Sequence, residues 1–131
     1  MATGYFKGLD PVIPIALGAP DHPSTPITCL VDTGFDGFLL LPEAAAPDFE
    51  LTETVPGIIE YADGSIAKRS WCIGVTEVDG EQRRGFVALE PGARQPLLGM
   101  MFLKAFGFKL TVDPSSNLVE LVSTAPTTQR M

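Results

Sequence analysis

The residues Leu30-Val31-Asp32-Thr33-Gly34-Phe35-Asp36-Gly37-Phe38-Leu39 decide how this chain folds. An apolar run over 28–31 leads straight into Asp32-Thr33-Gly34, and a second over 38–41 follows until Pro42 stops it. Short continuous apolar runs bounded by turn residues read as buried strands. Asp and Gly both favour turns, so Asp-Thr-Gly on its own is an ordinary turn. Between two buried strands it becomes a tight loop that carries a carboxylate at the edge of the core. A carboxylate there is costly unless it is paired, hydrogen-bonded or used. Asp32 is therefore the candidate functional group.

The same rhythm of strand and turn continues outward. Tyr61-Ala62-Asp63-Gly64-Ser65-Ile66 carries an Asp-Gly pair, the signal of a two-residue hairpin turn. A strand follows over 66–78, where Trp71, Ile73 and Val75 alternate with Ser70, Cys72 and Gly74. A second pair, Asp79-Gly80, reverses the chain into a partner strand over 82–89. Pro96-Leu97-Leu98-Gly99 then opens a run of good helix formers, predicting a helix over 100–106 closed by Gly107. A last hairpin runs 108–112, turns over 113–117 and returns over 118–122. Upstream, 9–17 is apolar but holds Pro11 and Pro14, so it reads as an edge strand or one broken by a bend. A turn-rich connector fills 18–26. Pro42-Glu43-Ala44-Ala45-Ala46 predicts one helical turn, with proline at its start and Pro47 ending it; 51–60 is mixed.

Composition fits this reading. The chain has 131 residues, enough for one domain (1–131) with a core over about 9–122, and its polar tail, 123–131, is expected to fray. Apolar residues make up 45%, and 13 Gly and 12 Pro are spread along the chain, which favours an all-β fold of many short elements. A net charge of -7 with nine Lys and Arg repels phosphate backbones, so no nucleic acid is expected as a partner. No basic amphipathic run suits an anionic membrane, and no apolar stretch approaches the ~20 residues of a membrane span. The first residues, Met1-Ala2-Thr3-Gly4-Tyr5-Phe6-Lys7, lack the pattern of a signal peptide, so a cytoplasmic location is expected. Cys29 and Cys72 then read as buried small hydrophobes rather than a disulfide. With the lone His22, placed in a Pro- and Asp-rich loop, they match no metal motif, and neither metal nor cofactor is expected.

Three segments in order resemble the retropepsin-like aspartic peptidases: Leu30-Val31-Asp32-Thr33-Gly34, the hairpin tip Ala62-Asp63-Gly64-Ser65, and Leu97-Leu98-Gly99 before a short helix. The strings from Val31 to Leu39 and from Leu97 to Met100 are similar to the clan AA peptidases of bacteria and archaea. The resemblance covers about 12–121. It implies a single-domain acid protease barrel with Asp32 as catalytic acid. Thr33 is implied to lock two active-site loops together across a dimer, and Gly34 to offer a backbone N–H. Leu97, Leu98 and Gly99 are implied to support the catalytic loop from below, and Ala62, Asp63, Gly64 and Ser65 to form a flap over the substrate.

Aspartic peptidase chemistry needs two carboxylates sharing one proton: one draws a proton from water while the other polarises the peptide carbonyl. The chain holds one Asp-Thr-Gly. Asp36 is too near in sequence, and Asp113 lies in an Asp-Pro-Ser turn. The second carboxylate is expected from another copy, making a homodimer that hydrolyses peptide bonds in a peptide or protein substrate. The alternatives are a peptide-binding or dimerisation module on the same fold that cuts nothing, and a small-ligand barrel unrelated to proteases.

Two departures from the family pattern matter. Phe35 stands where many relatives have a small residue, so its ring either narrows the cleft or packs behind the loop. Gly64 is the single glycine at the flap tip, which implies a stiffer closure. The remaining conspicuous side chains have plainer readings. Met100, Met101, Phe102 and Phe106 read as helix packing, Trp71 as packing or a subsite wall, and Glu77, Asp79, Glu81 and Glu90 as a solvated acidic face.

Overall fold

The computed structural model describes residues 1–124. In chain order it contains β1 (Ala2–Lys7), β2 (Asp10–Gly18), β3 (Thr25–Val31), β4 (Leu39–Pro42), β5 (Val55–Glu60), β6 (Ile66–Val78), β7 (Glu81–Glu90), β8 (Leu97–Leu98), a helix α1 (Met100–Phe106), β9 (Phe108–Asp113) and β10 (Leu118–Ser123). The middle of the sheet closes on itself. Hydrogen bonding runs β6, β7, β4, β8, β3, β2 and returns to β6 through Ala16↔Glu77, Leu17↔Thr76 and Gly18↔Val75. Outside this ring, β5 hangs on β6 as one edge, while β1, β10 and β9 extend from β2 to the other. The fold is all-β with the expected helix at 100–106.

Turn chemistry explains most of the path, and the two Asp-Gly pairs separate here. Asp79 and Gly80 both take positive φ (52° and 79°), giving the two-residue turn that the dipeptide predicts. At the other pair only Gly64 does (φ 86°), and the Tyr61 N–H donates to Ser65 O at 2.8 Å across a three-residue loop. The Asp63 side chain accounts for the difference: its Oδ1 accepts from Ser65 N at 2.9 Å and from Ser65 Oγ at 2.6 Å, which holds Asp63 in an Asx turn. Gly107 ends α1 at φ 66°, as the sequence predicts.

Several segments depart from their reading. β1 has no counterpart among the predicted strands; it pairs with both β10 and β2. The segment at 9–17 is not an edge strand, since β2 pairs with β3 along one side and with β1 and then β6 along the other. Pro14 is tolerated because it falls where the second side passes from one partner to the next, after Tyr5↔Val12 and before Ala16↔Glu77. The single helical turn at 42–46 is a 3-10 helix over Glu43–Phe49 that runs through Pro47, and Glu50 closes it at φ 57°. Of the tail expected to fray, 125–131 lie outside the described residues. Ser123 ends β10, and the Thr124 N–H donates to Gly107 O at 2.9 Å.

The main core draws on the ring, on β10 and on α1, with Ile13, Leu17, Cys29, Val87, Leu98, Phe102, Val119 and Leu121 fully buried. Burial pushes the Cys29 thiol up to about 12 and Cys72 to about 11, so both stay neutral in apolar surroundings. A row of rings ties the loop after Asp32 to the far end of the sheet: Phe38 to Phe102 at 5.2 Å, Phe102 to Phe106 at 4.7 Å, and Phe106 to Phe108 at 5.1 Å between centroids. Among the described residues no helix is long and apolar enough to cross a membrane.

Because Phe102 is completely enclosed and central to that row, Phe102→Ala should lose about 3 to 5 kcal/mol in urea unfolding. A loss under about 1 kcal/mol would show that the core closes around the gap.

Candidate active site

Asp32 follows the last residue of β3, and its loop is fixed from below by backbone bonds. The parallel pairing Leu30↔Leu97 and Val31↔Leu98 places β8 beside β3, and the antiparallel pairing Leu39↔Leu98 and Leu40↔Leu97 places it beside β4. The Asp32 N–H donates to Leu98 O at 2.9 Å, and Gly99 N–H to Phe38 O at 3.1 Å. The loop closes on itself as well: Gly34 N–H donates to Asp32 Oδ1 at 3.0 Å, and Phe35 N–H to Asp32 O at 3.1 Å. Asp32 is thereby left half-buried at the loop, with Thr33 and Gly34 exposed beside it. Leu97, Leu98 and Gly99 lie directly beneath.

The Phe35 ring packs against its own loop and also lines the cavity at Asp32. A Cβ on Gly37 would meet the Phe35 ring at 2.5 Å from Cζ, and one on Gly99 would lie 2.6 Å from Phe35 Cδ2 and overlap Gly37 O. The ring therefore packs down onto a patch of backbone that only glycines leave open. It also joins a second, smaller apolar cluster built on Leu40, Ile59 and Ala88, and it lines the cavity above Asp32. That cavity has a volume of about 440 Å³. Leu40, Ile59 and Leu97 furnish apolar wall, Asp32 and Gly34 the Asp32-loop side, and Glu60, Tyr61 and Ala62 the hairpin side.

The β5–β6 hairpin thus faces the loop of Asp32. Its tip, Ala62, Asp63, Gly64 and Ser65, is exposed. At the tip's base the acidic-face reading fails for Glu90. Its side chain is 13% exposed, and Arg69 Nε donates to its Oε2 at 2.6 Å. The Tyr61 hydroxyl donates to the same carboxylate, at 2.9 Å to Oε2, and accepts from Arg69 Nη2 at 2.8 Å. Hydrogen bonding to Glu90 raises the Tyr61 phenol above its ordinary value. The same carboxylate raises Arg69.

Neither Asp36 nor Asp113 lines the cavity with Asp32. Asp36 is exposed, and Asp113 holds a turn by accepting from the Ser115 and Ser116 hydroxyls at 2.8 and 2.6 Å. Trp71 lies across the backbone at Gly57 in the hairpin stem and lines a different cavity, of about 650 Å³, beside Val55, Ile73 and Phe86. His22 sits at that second cavity, its ring bonded to Pro20 O at 3.0 Å. Among the described residues no cluster of three or more His, Cys, Asp or Glu is arranged to hold a metal ion.

The Ser65 hydroxyl, then its amide, hold the Asp63 carboxyl below the usual range. A lowered folded value means that the turn is held at neutral pH and loosens only as pH falls through that value. The Ser65 amide resonance should titrate with a midpoint below about 3.9, the value of a free Asp side chain; a midpoint at or above it would contradict the contact.

No family model matches the sequence, and no curated protein matches it. Solved structures do. The EIAV protease, in complex with the inhibitor HBY-793, matches with a TM-score of 0.61 at 22% identity, over 82% of this chain and 98% of that one. A retropepsin-like aspartic protease from Rickettsia conorii matches with a TM-score of 0.60 at 18% identity, over 92% and 88%. The closed ring, the Asp32 loop braced by β8 and the hairpin that faces it together give this chain the retropepsin-like fold.

Proposed function

We propose that the chain is an aspartic endopeptidase that works as a homodimer, with Asp32 of each subunit forming the catalytic pair. The observation that carries this reading is the placement of Asp32. It stands on a loop anchored to Leu98, on the wall of a cavity that the β5–β6 hairpin overhangs. The solved structures of like fold include proteins described as proteases, which supports the same class of chemistry.

One Asp32 is half of what the reaction needs. With a second copy across a two-fold axis, the two carboxylates share a proton, since like charges that close cannot both ionise. The ionised member takes a proton from a bound water, whose oxygen attacks the scissile carbonyl carbon. The protonated member donates a hydrogen bond to the carbonyl oxygen. Collapse of the tetrahedral intermediate breaks the C–N bond as the amine leaves with a proton returned from the pair. The exposed Thr33 reaches for the partner's loop, Gly34 offers its amide, and Ala62 to Ser65 close over an extended peptide that adds main-chain bonds as a strand does.

A second reading has one observation in its favour. Phe35 lines the cavity at Asp32 as well as packing behind the loop, and a ring there suits a module that binds peptides without cutting them.

Asp32→Asn should lower cleavage of an unfolded protein such as reduced casein by about 10²- to 10⁴-fold while the fold persists. Cleavage that survives the substitution would remove Asp32 from the chemistry. Activity per chain should also fall on dilution through the dimer dissociation constant, followed by sedimentation at low micromolar concentration. A monomer that cleaves at full rate would overturn the shared site, and a stable dimer of wild-type chain that never cleaves would favour the binding module.

A further inference from the structure

The β6–β7 ladder stops at Ser70↔Leu89, whereas the β5–β6 ladder continues past that point to Glu60↔Ile66. From Arg69 to the tip the hairpin therefore leaves the ring and, among the described residues, pairs only with itself. A hairpin that departs from its sheet bends where the ladder ends. The next register pair after Ser70↔Leu89 is Arg69 opposite Glu90, and here the backbone ladder gives way to side chains.

We propose that Arg69, Glu90 and Tyr61 form a latch at this hinge, which holds the flap hairpin down over Asp32. Three contacts close a ring among them: Arg69 Nε to Glu90 Oε2 at 2.6 Å, Arg69 Nη2 to Tyr61 Oη at 2.8 Å, and Tyr61 Oη to Glu90 Oε2 at 2.9 Å. The pair is shielded, with the Arg69 side chain 25% and that of Glu90 13% exposed. A hydrogen bond to a charged group away from water is among the stronger ones a protein makes. Arg69 is further braced by donating to Lys68 O at 2.8 Å.

Position gives the latch its leverage. Glu90 ends β7, a strand of the ring, so it does not travel with the hairpin. Tyr61 is the last residue before the tip loop, and it lines the cavity beside Asp32. Its ring also packs with Phe35 and Trp71 around Leu40, Ile59 and Ala88. Lifting the tip off the Asp32 loop has to part Tyr61 from Glu90. Arg69 and Tyr61 are positioning residues in this account, acting on substrate through the flap. The kinetic consequence rests on the peptidase reading; the mechanical one stands without it.

Hydrogen exchange on the full chain tests the latch directly. Tyr61→Phe keeps the ring and removes the hydroxyl, and Glu90→Gln keeps the shape and removes the charge. In both variants the amides over 58–66 should exchange about three- to tenfold faster, while those over 72–78, inside the ring, stay unchanged. Arg69→Lys, which keeps the charge but loses the fork, should fall between wild type and Glu90→Gln. Flap amides that exchange at the wild-type rate in both Tyr61→Phe and Glu90→Gln would overturn the latch. With reduced casein as substrate, KM should rise by a similar factor with kcat within about twofold; a fall in kcat at constant KM would overturn the positioning role. Wild-type chain that cuts nothing would sink the peptidase reading and leave the latch to be judged by exchange.

Discussion

The backbone of Leu97 and Leu98 bonds to β3 on one side, running parallel, and to β4 on the other, running antiparallel. Buried backbone groups must find partners, and this two-residue strand supplies them to both arms of the loop that carries Asp32. Without it β3 and β4 would face each other across an unfilled gap, and the Asp32 N–H would lose its acceptor. The ring of strands is also closed there. One short backbone segment thus completes the barrel and anchors the backbone of Asp32, which is why the residues around it are held in place in a loop that contains two glycines.

Close approach carries the arrangement further. The Phe35 ring rests on Gly37 and Gly99: a Cβ on Gly37 would strike the ring itself, and one on Gly99 would strike both the ring and the backbone of the loop. The bulky residue and the two glycines are one feature: the ring fills space that the missing side chains leave. Behind it, Phe38 hands the packing to Phe102 in the helix, so displacement of the loop is resisted by the close-packed core around Phe102. The catalytic role proposed for Asp32 needs this, because a carboxylate that wanders by about an ångström loses its alignment with the reacting atoms.

Much of this was legible in the sequence because it is written in local chemistry. Apolar runs either side of Asp32-Thr33-Gly34, the stop at Gly107 and the order of the three diagnostic segments gave the strands, the helix and the fold. What was hidden lies in contacts between distant residues. Glu90 looked like one more acid in a solvated run, since its partners Arg69 and Tyr61 are 21 and 29 residues away. β1 is a strand because β10 and β2 flank it; its small and polar residues announce little by themselves. Pro11 and Pro14 argued for an edge, and only the change of partner along β2 makes an interior place acceptable. The same Asp-Gly dipeptide gave two different turns because Ser65 captures Asp63, whereas Asp79 instead takes a left-handed conformation. The role proposed for Asp32 depends on a second copy of the chain.

Closure of the ring by so late a strand also bears on how the protein comes into being. During synthesis β3 and the Asp32 loop are made long before β8, and joining Leu30 to Leu97 spans about half of the chain. Non-local parallel pairing is slow and entropically costly to nucleate. A nascent chain therefore carries Asp32 on an unformed loop, with no acceptor for its amide, until the residues beyond Gly99 have been made. The order of synthesis itself thus delays the cavity at Asp32 until the barrel can close around it.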